Sequence, residues 1–502
     1  MKGITKEEHY DVIVVGGGNT ALLTALRAQE SGAKVLVLEK APQDRRGGNG
    51  YFTTGVYRVV HNGTPDLLDL ISDLTEEERN IQIEPYTADQ FYRDYTYATE
   101  GMVDPWIMEL IIRESTDALR WMVKRHGLKM ELTSNWVRRI GDRLHFVGQL
   151  PFSNKGAGAG LSDTLYDMMA EKGIEVSYET GAMKLMVDGN ARVEGVVARK
   201  KDLIRGIKSK AVVLACGGFE SNPQWRAQYL GKHWDLAKVR GGAFNMGDGL
   251  RMAIEIGAKP KGNWSGCHAI FIDADAPQPA IREDTEKTSK RLYIFGLVVN
   301  AEGLRFLDEG EDDMTLTYAR FGQHLLTQPQ RIGFQLFDAK GYKTITTSNL
   351  LHDYIDAPYT VADSIAELAQ KLGIDADNLE KTVADFNGSI QPGGRTNYYK
   401  LAGEPEDRQT VGVSPPKSSC AFPLTTPPFY AYANCCGITF TFGGLAINRR
   451  AQVLDGSDRP IAGLYAAGGI IGGLFYNNYP GATGLTAGAV FARIAGANAA
   501  SD

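Results

Sequence analysis

Apolar positions along the chain fall into short continuous runs and longer helical stretches, and the changes from one period to the other fall on glycine-rich turns. DVIVV, 11–15, is a β-branched run of strand length, and the apolar residues that follow from 19 recur at helical spacing. VLVL, 35–38, predicts a second strand. From 64 to 127 the period is helical, with acidic stretches such as TEEER and an amphipathic run PWIMELIIRESTDALRWMVKRHG, which predicts a solvated helical insertion. KGAGAGLSDTLYDMMA, 155–170, joins a glycine turn to an amphipathic helix, and 174–197 alternates as two short strands around Asp188-Gly189. AVVLACGG, 211–218, is an apolar strand ending in paired glycines, and NMGDGLRMAIEIGA, 245–258, is a turn followed by a helix. Between 263 and 440 the texture changes to short strands, polar loops and one good helix at 362–372. RPIAGLYAAGG, 459–469, returns to a strand ending in glycines, and GATGLTAGAVFARIAGANAA, 481–500, runs from a turn into a helix of small residues. The pattern predicts an α/β chain whose main domain joins 1–262 to 441–502, with an inserted α+β cap over 263–440.

The first turn carries the most specific signal. Gly16, Gly18 and Ala21 stand at the spacing G-x-G-x-x-A between strand and helix. Glycine at 16 permits the tight turn, glycine at 18 lets a pyrophosphate approach the backbone, and the small Ala21 lets helix pack on strand. The helix start offers unpaired N–H groups and the positive end of its dipole to phosphates. Glu39, at the end of the second strand, stands where a carboxylate accepts hydrogen bonds from a ribose. Strand, spacing, helix and terminal acid together predict dinucleotide binding in a Rossmann-like domain.

Composition narrows the partners. Of 502 residues, 54 are Lys or Arg and 60 Asp or Glu, giving a net charge of -6 with no basic block, so nucleic acid is excluded as a partner. The five cysteines are scattered and never form C-x-x-C, which argues against a disulfide framework or zinc site and for a reducing compartment. No apolar run approaches the roughly 18 residues of a membrane span. The sequence predicts a soluble, cytoplasmic protein acting on a small molecule.

The blocks read so far, with GGN at 47–49, LACGGF at 214–219, GDG at 247–249, VVNAEGLRFLDE at 298–309 and GLYAAGG at 463–469, resemble the fumarate reductase and succinate dehydrogenase flavoprotein superfamily. They cover nearly the whole chain in order. Within that superfamily the chain looks most like the tricarballylate dehydrogenases, through RRGGN, DEGED and GITFTFGGL, and it is also similar to ketosteroid dehydrogenases. The resemblance implies FAD and hydride exchange at a carbon-carbon bond. It carries Gly16, Gly18, Asn19 and Ala21 to the pyrophosphate, Glu39 and Lys40 to the adenosine ribose, and Gly47, Gly48 and Asn49 to the pyrophosphate and ring. It further places Ala182 near the adenine, Gly217 and Gly218 under the dinucleotide, Asp248 on the ribityl chain, and Gly484, Leu485 and Thr486 at the pyrimidine end of the flavin. Covalent members have a histidine just after the GGN block; Tyr51 and Phe52 stand there, so noncovalent FAD is expected.

At the substrate end the chain departs from the fumarate reductases. Counting without gaps from Glu309 places Asp313 where they have a proton-supplying arginine, whereas an insertion aligns Tyr318, as in the ketosteroid enzymes. Tyr479 replaces a substrate arginine and Phe440 a substrate histidine, while His268 sits near another substrate histidine of the superfamily. Arg320, two residues beyond Tyr318, is expected to be its cationic neighbour, and Arg305 with Glu309 to brace the active-site loop. These residues imply a substrate less anionic than fumarate and activated by a carbonyl. The expected reaction is dehydrogenation next to a carbonyl or carboxylate; the reverse ene reduction, an electron-transfer subunit and a noncatalytic flavin protein are the alternatives. The electron partner is not written in the sequence.

Overall fold

Strand His9–Val15 lies inside an eight-stranded sheet and pairs in parallel with Val35–Leu38 on one side and Leu203–Leu214 on the other. In the computed structural model, residues 9–133, 137–140, 143–146, 149–283, 287–347, 357–395 and 408–502 are described. The parallel order continues to Glu175–Ser177 beyond Val35–Leu38, and to Pro460–Ala466, from the far end of the chain, beyond Leu203–Leu214. Val12, Ile13 and Val14 are fully buried, as expected of a parallel strand covered on both faces. Register aligns the strand ends: Val15 pairs with Leu38 and Leu214, and Leu214 with Ala466. The glycine turns after His9–Val15, Leu203–Leu214 and Pro460–Ala466 therefore meet at one edge of the sheet, beside Glu39 at the end of Val35–Leu38. Helices Asn19–Glu30 and Thr483–Ala499 cross over this edge at close range: a Cβ on Gly488 would lie 2.4 Å from Thr20 Oγ1, and one on Gly496 2.6 Å from the Thr24 carbonyl oxygen.

The helices Thr64–Leu70, Ala88–Ala98 and Pro105–Arg120 correct the expectation of a solvated insertion. Phe91, Tyr95, Ile107 and Ile111 are buried, and Tyr95 Oη donates to the Leu474 carbonyl oxygen at 2.7 Å. The three-and-four spacing of apolar residues is that of one buried face, while the acidic cluster belongs to the short capped helix Glu76–Arg79 on the surface.

The cap is built on the 13-residue strand Phe429–Thr441. Cys267–Asp273 and Gly333–Phe337 pair with it antiparallel, and Leu297–Asn300 extends the sheet beyond Gly333–Phe337. Lys238–Val239, upstream of the expected boundary, joins the same strand in parallel. One hydrophobic cluster runs from the large sheet into the near face of the cap, through Ala269, Ile270, Tyr318, Ile438 and Phe442; a smaller one, with Leu297, Leu336, Leu368 and Phe386, fills the outer face. Where one helix was expected, at 362–372, Ile365–Leu372 is joined by Met314–His324, Ala339–Thr347 and Ala376–Ser389. MTLTYARFGQH hides its helix because threonines and a glycine have poor helical propensity. Its N-terminus is set by Asp313, whose Oδ1 accepts the Thr315 N–H at 2.8 Å and the Thr315 hydroxyl at 2.7 Å.

The loop leading into that helix is braced by a buried pair. Arg305 Nε lies 3.2 Å from Glu309 Oε1, which also accepts the Val298 N–H at 2.8 Å, and Arg305 Nη1 donates to the Pro415 carbonyl oxygen at 2.6 Å. The Glu309 side chain is fully buried and that of Arg305 nearly so. Arg305→Met strands a buried carboxylate, so denaturant unfolding is expected to show a loss of about 3–5 kcal/mol.

Candidate active site

The glycine turns at the sheet edge enclose a cleft with ≈ 1850 Å³ of empty space, its mouth included, which runs from the nucleotide motif to the cap. Gly16 has a φ of 114°, and a Cβ there would lie 2.6 Å from the Ala215 carbonyl oxygen, so only glycine lets the first strand turn this close to its neighbour. Gly18 caps helix Asn19–Glu30 without a side-chain acceptor, and the first turn holds no acid. Its N–H groups face the cleft with their positive dipole end unanswered. A Cβ on Gly18 would meet only the Gly47 carbonyl oxygen at 3.8 Å, which leaves the space a pyrophosphate needs. Glu39 is buried, accepts the Ala41 N–H at 2.6 Å, and burial raises its pKa. Lys40 Nζ and Asp248 Oδ2 lie 2.7 Å apart, joining two cleft-lining residues 208 positions apart in sequence. Asn19, Gly48, Ala182, Gly217, Gly218, Gly484 and Leu485 also line the cleft.

Three residues expected at the cofactor stand back from the cleft wall. Ala21 is fully buried in the helix-strand seam. Gly47, with a φ of 107°, shapes the turn, where a Cβ would lie 2.6 Å from Ser162 Oγ. Thr486 directs its hydroxyl to the Arg58 carbonyl oxygen at 2.8 Å. Asn49 lines the cleft, yet its amide is engaged by protein: Nδ2 donates to Glu220 Oε1 and the Thr439 carbonyl oxygen, both at 2.6 Å, and Oδ1 accepts the Gly242 N–H at 2.9 Å. Glu220 Oε1 also accepts from Asn245 Nδ2 at 2.5 Å, while its buried Oε2 has no hydrogen-bond partner among the described residues. Burial pushes the Glu220 carboxyl up to about 7, against the smaller pull of Asn245 and Arg226.

At the cap end Tyr318 and Tyr479 share a hydrogen bond of 2.9 Å, and Tyr479 Oη accepts the Ala482 N–H at 3.0 Å. Two hydroxyls carry two protons and one lies between them, so the pair has a single O–H left to offer the cleft. His268 packs edge-on against both tyrosines, with ring centroids 5.2 and 4.9 Å away, and stacks on Phe440 at 5.0 Å. Its Nδ1 is buried without a partner among the described residues, and burial with the Arg240 and Arg291 charges holds it well below the ordinary histidine range, so it is neutral. Burial raises both phenols, against the opposing pull of Arg240. Arg240 donates to Ser289 Oγ at 3.0 Å and Thr439 Oγ1 at 3.3 Å, and both it and Arg291 line the cleft.

These cations take the place expected for Arg320. Arg320 pairs with Glu311 instead and does not line the cleft, because residues two apart on a helix point to nearly opposite sides. Asp313 is likewise outside the cleft lining, as the cap of its helix. Arg58, Arg240, Arg291 and Glu220 had no spacing signal; their only trace is a charge set in an apolar stretch, as in GVYRVV and CGGFES.

Residues 11–485 match the family described as FAD binding domain. The chain belongs to that family. A probable fumarate reductase of Shewanella frigidimarina (strain NCIMB 400) is 28% identical over 98% of this chain and 75% of its own length. A 3-oxosteroid 1-dehydrogenase of Mycolicibacterium smegmatis is 24% identical over 95% of this chain and 94% of its own length. In structure the chain is similar to the open form of a flavocytochrome c3 fumarate reductase, with a TM-score of 0.73, 26% identity, and 98% and 78% of the two chains covered. The FAD-binding chain is thus a member of the fumarate reductase and succinate dehydrogenase flavoprotein superfamily, with an α/β fold, and an FAD-dependent oxidoreductase acting on a carbon-carbon bond. Among its described residues no helix is long and apolar enough to cross a membrane.

The open helix start, the glycine walls and the buried acid at the second strand fit FAD, and filling the space at Gly18 tests this. Gly18→Val is expected to yield folded but colourless protein, with flavin absorbance and apoprotein melting as the two measurements. Glu220 gives a second test. Its carboxyl titrates near 4.5 in the unfolded chain and near about 7 in the fold, so its stabilising contribution is complete below 4.5 and lost as pH rises through 7. Glu220→Gln keeps an acceptor but does not ionise. The stability of the variant relative to wild type is therefore expected to rise between those pH values by roughly 3 kcal/mol, read by urea unfolding of the apoprotein.

Proposed function

We propose that the enzyme desaturates a small molecule next to a carbonyl, with Tyr318 and Tyr479 handling the carbonyl oxygen and the proton on its α-carbon, and with FAD held noncovalently. The observation that carries this reading is the hydroxyl pair, which has one O–H to spare in a cleft that also holds the nucleotide motif. When Tyr318 donates to Tyr479, the Tyr479 proton points to the substrate carbonyl, and charge developing on that oxygen is met by a supported donor. Bound FAD supplies the hydride acceptor. To act on the α-carbon Tyr318 first releases its own proton to solvent; Arg240 and Arg291 favour the resulting phenolate, which takes the α-proton while Tyr479 keeps the one proton left in the pair for the carbonyl. Neutral His268 and the ring of Phe440 form an uncharged wall, consistent with a substrate less anionic than a dicarboxylate.

One observation favours the reverse direction as a second reading. Both phenols are raised by burial, so they rest protonated, the state that gives a proton to an enone during reduction. The probable fumarate reductase of Shewanella frigidimarina is a relative of that kind. The five cysteines are all free, which fits a reducing compartment, and the cytoplasm is the location we propose.

Anaerobic mixing with cyclohexanone and succinate, and mixing of photoreduced enzyme with 2-cyclohexenone and fumarate, separates the directions by bleaching or return of flavin absorbance. Tyr318→Phe and Tyr479→Phe are each expected to retain flavin and to lower the rate of the active direction by about 10²–10⁴-fold. Unchanged rates in both variants would remove the tyrosines from the reaction.

A further inference from the structure

Tyr318 and Tyr479 are 161 residues apart, and the hydrogen bond between them requires helix Met314–His324 and the turn 479–482 to be set against each other. A single side chain holds both. Arg58 is fully buried; its Nε donates to the Gly481 carbonyl oxygen at 2.8 Å and its Nη2 to Thr315 Oγ1 at 3.3 Å. Gly481 belongs to the turn that presents Tyr479, and Thr315 lies one helical turn before Tyr318. At the other end, Nη1 donates to Tyr86 Oη at 2.7 Å and Asp94 Oδ2 at 2.9 Å, which anchors the guanidinium to the helical insertion. The Arg58 backbone grips the same region: its N–H donates to the Ala482 carbonyl oxygen at 3.3 Å, and its carbonyl accepts the Thr486 hydroxyl at 2.8 Å.

We propose that Arg58 is a positioning residue for the reaction, fixing the cap helix against the C-terminal turn and so setting the Tyr318–Tyr479 hydrogen bond; this rests on the tyrosine pair being the group that meets substrate. Burying a guanidinium completely is a costly way to join two segments that apolar side chains could join by packing alone. What arginine adds is direction. Its planar fork reaches acceptors on separate elements at fixed angles, which a lysine ammonium on a flexible stem does not reproduce. Other bonds join the same two segments, Gly481 N–H to the Thr315 carbonyl at 2.7 Å and Asn478 Nδ2 to the Leu316 carbonyl at 2.6 Å, so losing the fork leaves them adjacent but free to shift. A shift of about 1 Å suffices to cost roughly 10²-fold in rate.

The test uses FAD-loaded full-length Arg58→Lys and Arg58→Ala beside Tyr318→Phe and Tyr479→Phe, with the cyclohexanone, cyclohexenone, succinate or fumarate reaction that wild type performs. Arg58→Lys is expected to keep its flavin, lose about 10²-fold in kcat and change KM by less than about threefold. Added guanidinium ion is expected to restore part of the kcat of Arg58→Ala and none of that of the tyrosine variants. A crystal structure of Arg58→Lys, which needs no substrate, is expected to show the two hydroxyls beyond hydrogen-bond distance. A retained Tyr318–Tyr479 bond, wild-type kcat, or a loss that guanidinium leaves untouched overturns the inference. If the Arg58 variants do not fold, Thr315→Val removes the cap-side acceptor together with the hydroxyl that donates to Asp313, and Asp313→Ala, which removes the helix cap but leaves the acceptor, is its control; a kcat lower in Thr315→Val than in Asp313→Ala, with full flavin, supports the proposal and an equal kcat overturns it. Inactive tyrosine variants beside active Arg58 variants reject the Arg58 role only, whereas active tyrosine variants reject the reading of the pair itself.

Discussion

The fold is governed by the need to bring the backbone against a long polyanionic cofactor. Side chains are too bulky and too mobile to line the whole length of a dinucleotide, so strand ends must arrive together, and three of the four run into glycine while the fourth ends in Glu39. Val15, Leu38, Leu214 and Ala466 stop at one level because parallel register ties them to one another. The last of these comes from the far end of the chain. A sheet that needs both termini to complete its binding edge leaves the middle of the chain to be placed elsewhere, and the cap is where it goes.

The cap end works by a different physics. The wall of the nucleotide end is mostly main chain and small residues, whereas the cap end brings together two phenols, an imidazole, two guanidinium groups and several aromatic rings in a largely buried region. Desolvation acts on the imidazole and the phenols in opposite senses: His268 loses its proton, and the phenols keep theirs. The guanidinium groups act against that trend for the phenols. On the proposed reading, reactivity in either direction follows from this balance between burial and nearby positive charge rather than from any one residue's ordinary acidity.

The sequence made the nucleotide end legible because backbone contact imposes a rule on residue type at fixed spacing. Gly16, Gly18 and Glu39 carry that rule in a single stretch of chain, and the repeated glycine-ended strands extend it. The tyrosines were legible only through likeness to relatives, since nothing in TYARFG or NYPG by itself marks a reacting group. Arg58, Arg240, Arg291 and Glu220 were not legible, because their roles arise from elements that meet only in the fold. Arg320 shows the opposite error: nearness along the chain is no guide to nearness in space when the chain is helical. Helix Met314–His324 was missed for an energetic reason, as a cap at Asp313 and burial of one face outweigh weak local propensity.

Phe440 lies in the same hydrophobic seam that joins the large sheet to the cap. On one side it meets His268 and Tyr479, and on the other Phe442 and Phe475. On the proposed reading, the wall that meets the substrate is therefore also part of the packing between the large sheet and the cap. A smaller residue at 440 would admit a bulkier substrate and would open a void in the core by the same atoms. If the proposed role of Phe440 holds, selectivity and stability are coupled quantities here, and a lineage that changes its substrate through this wall must repack the seam as it goes.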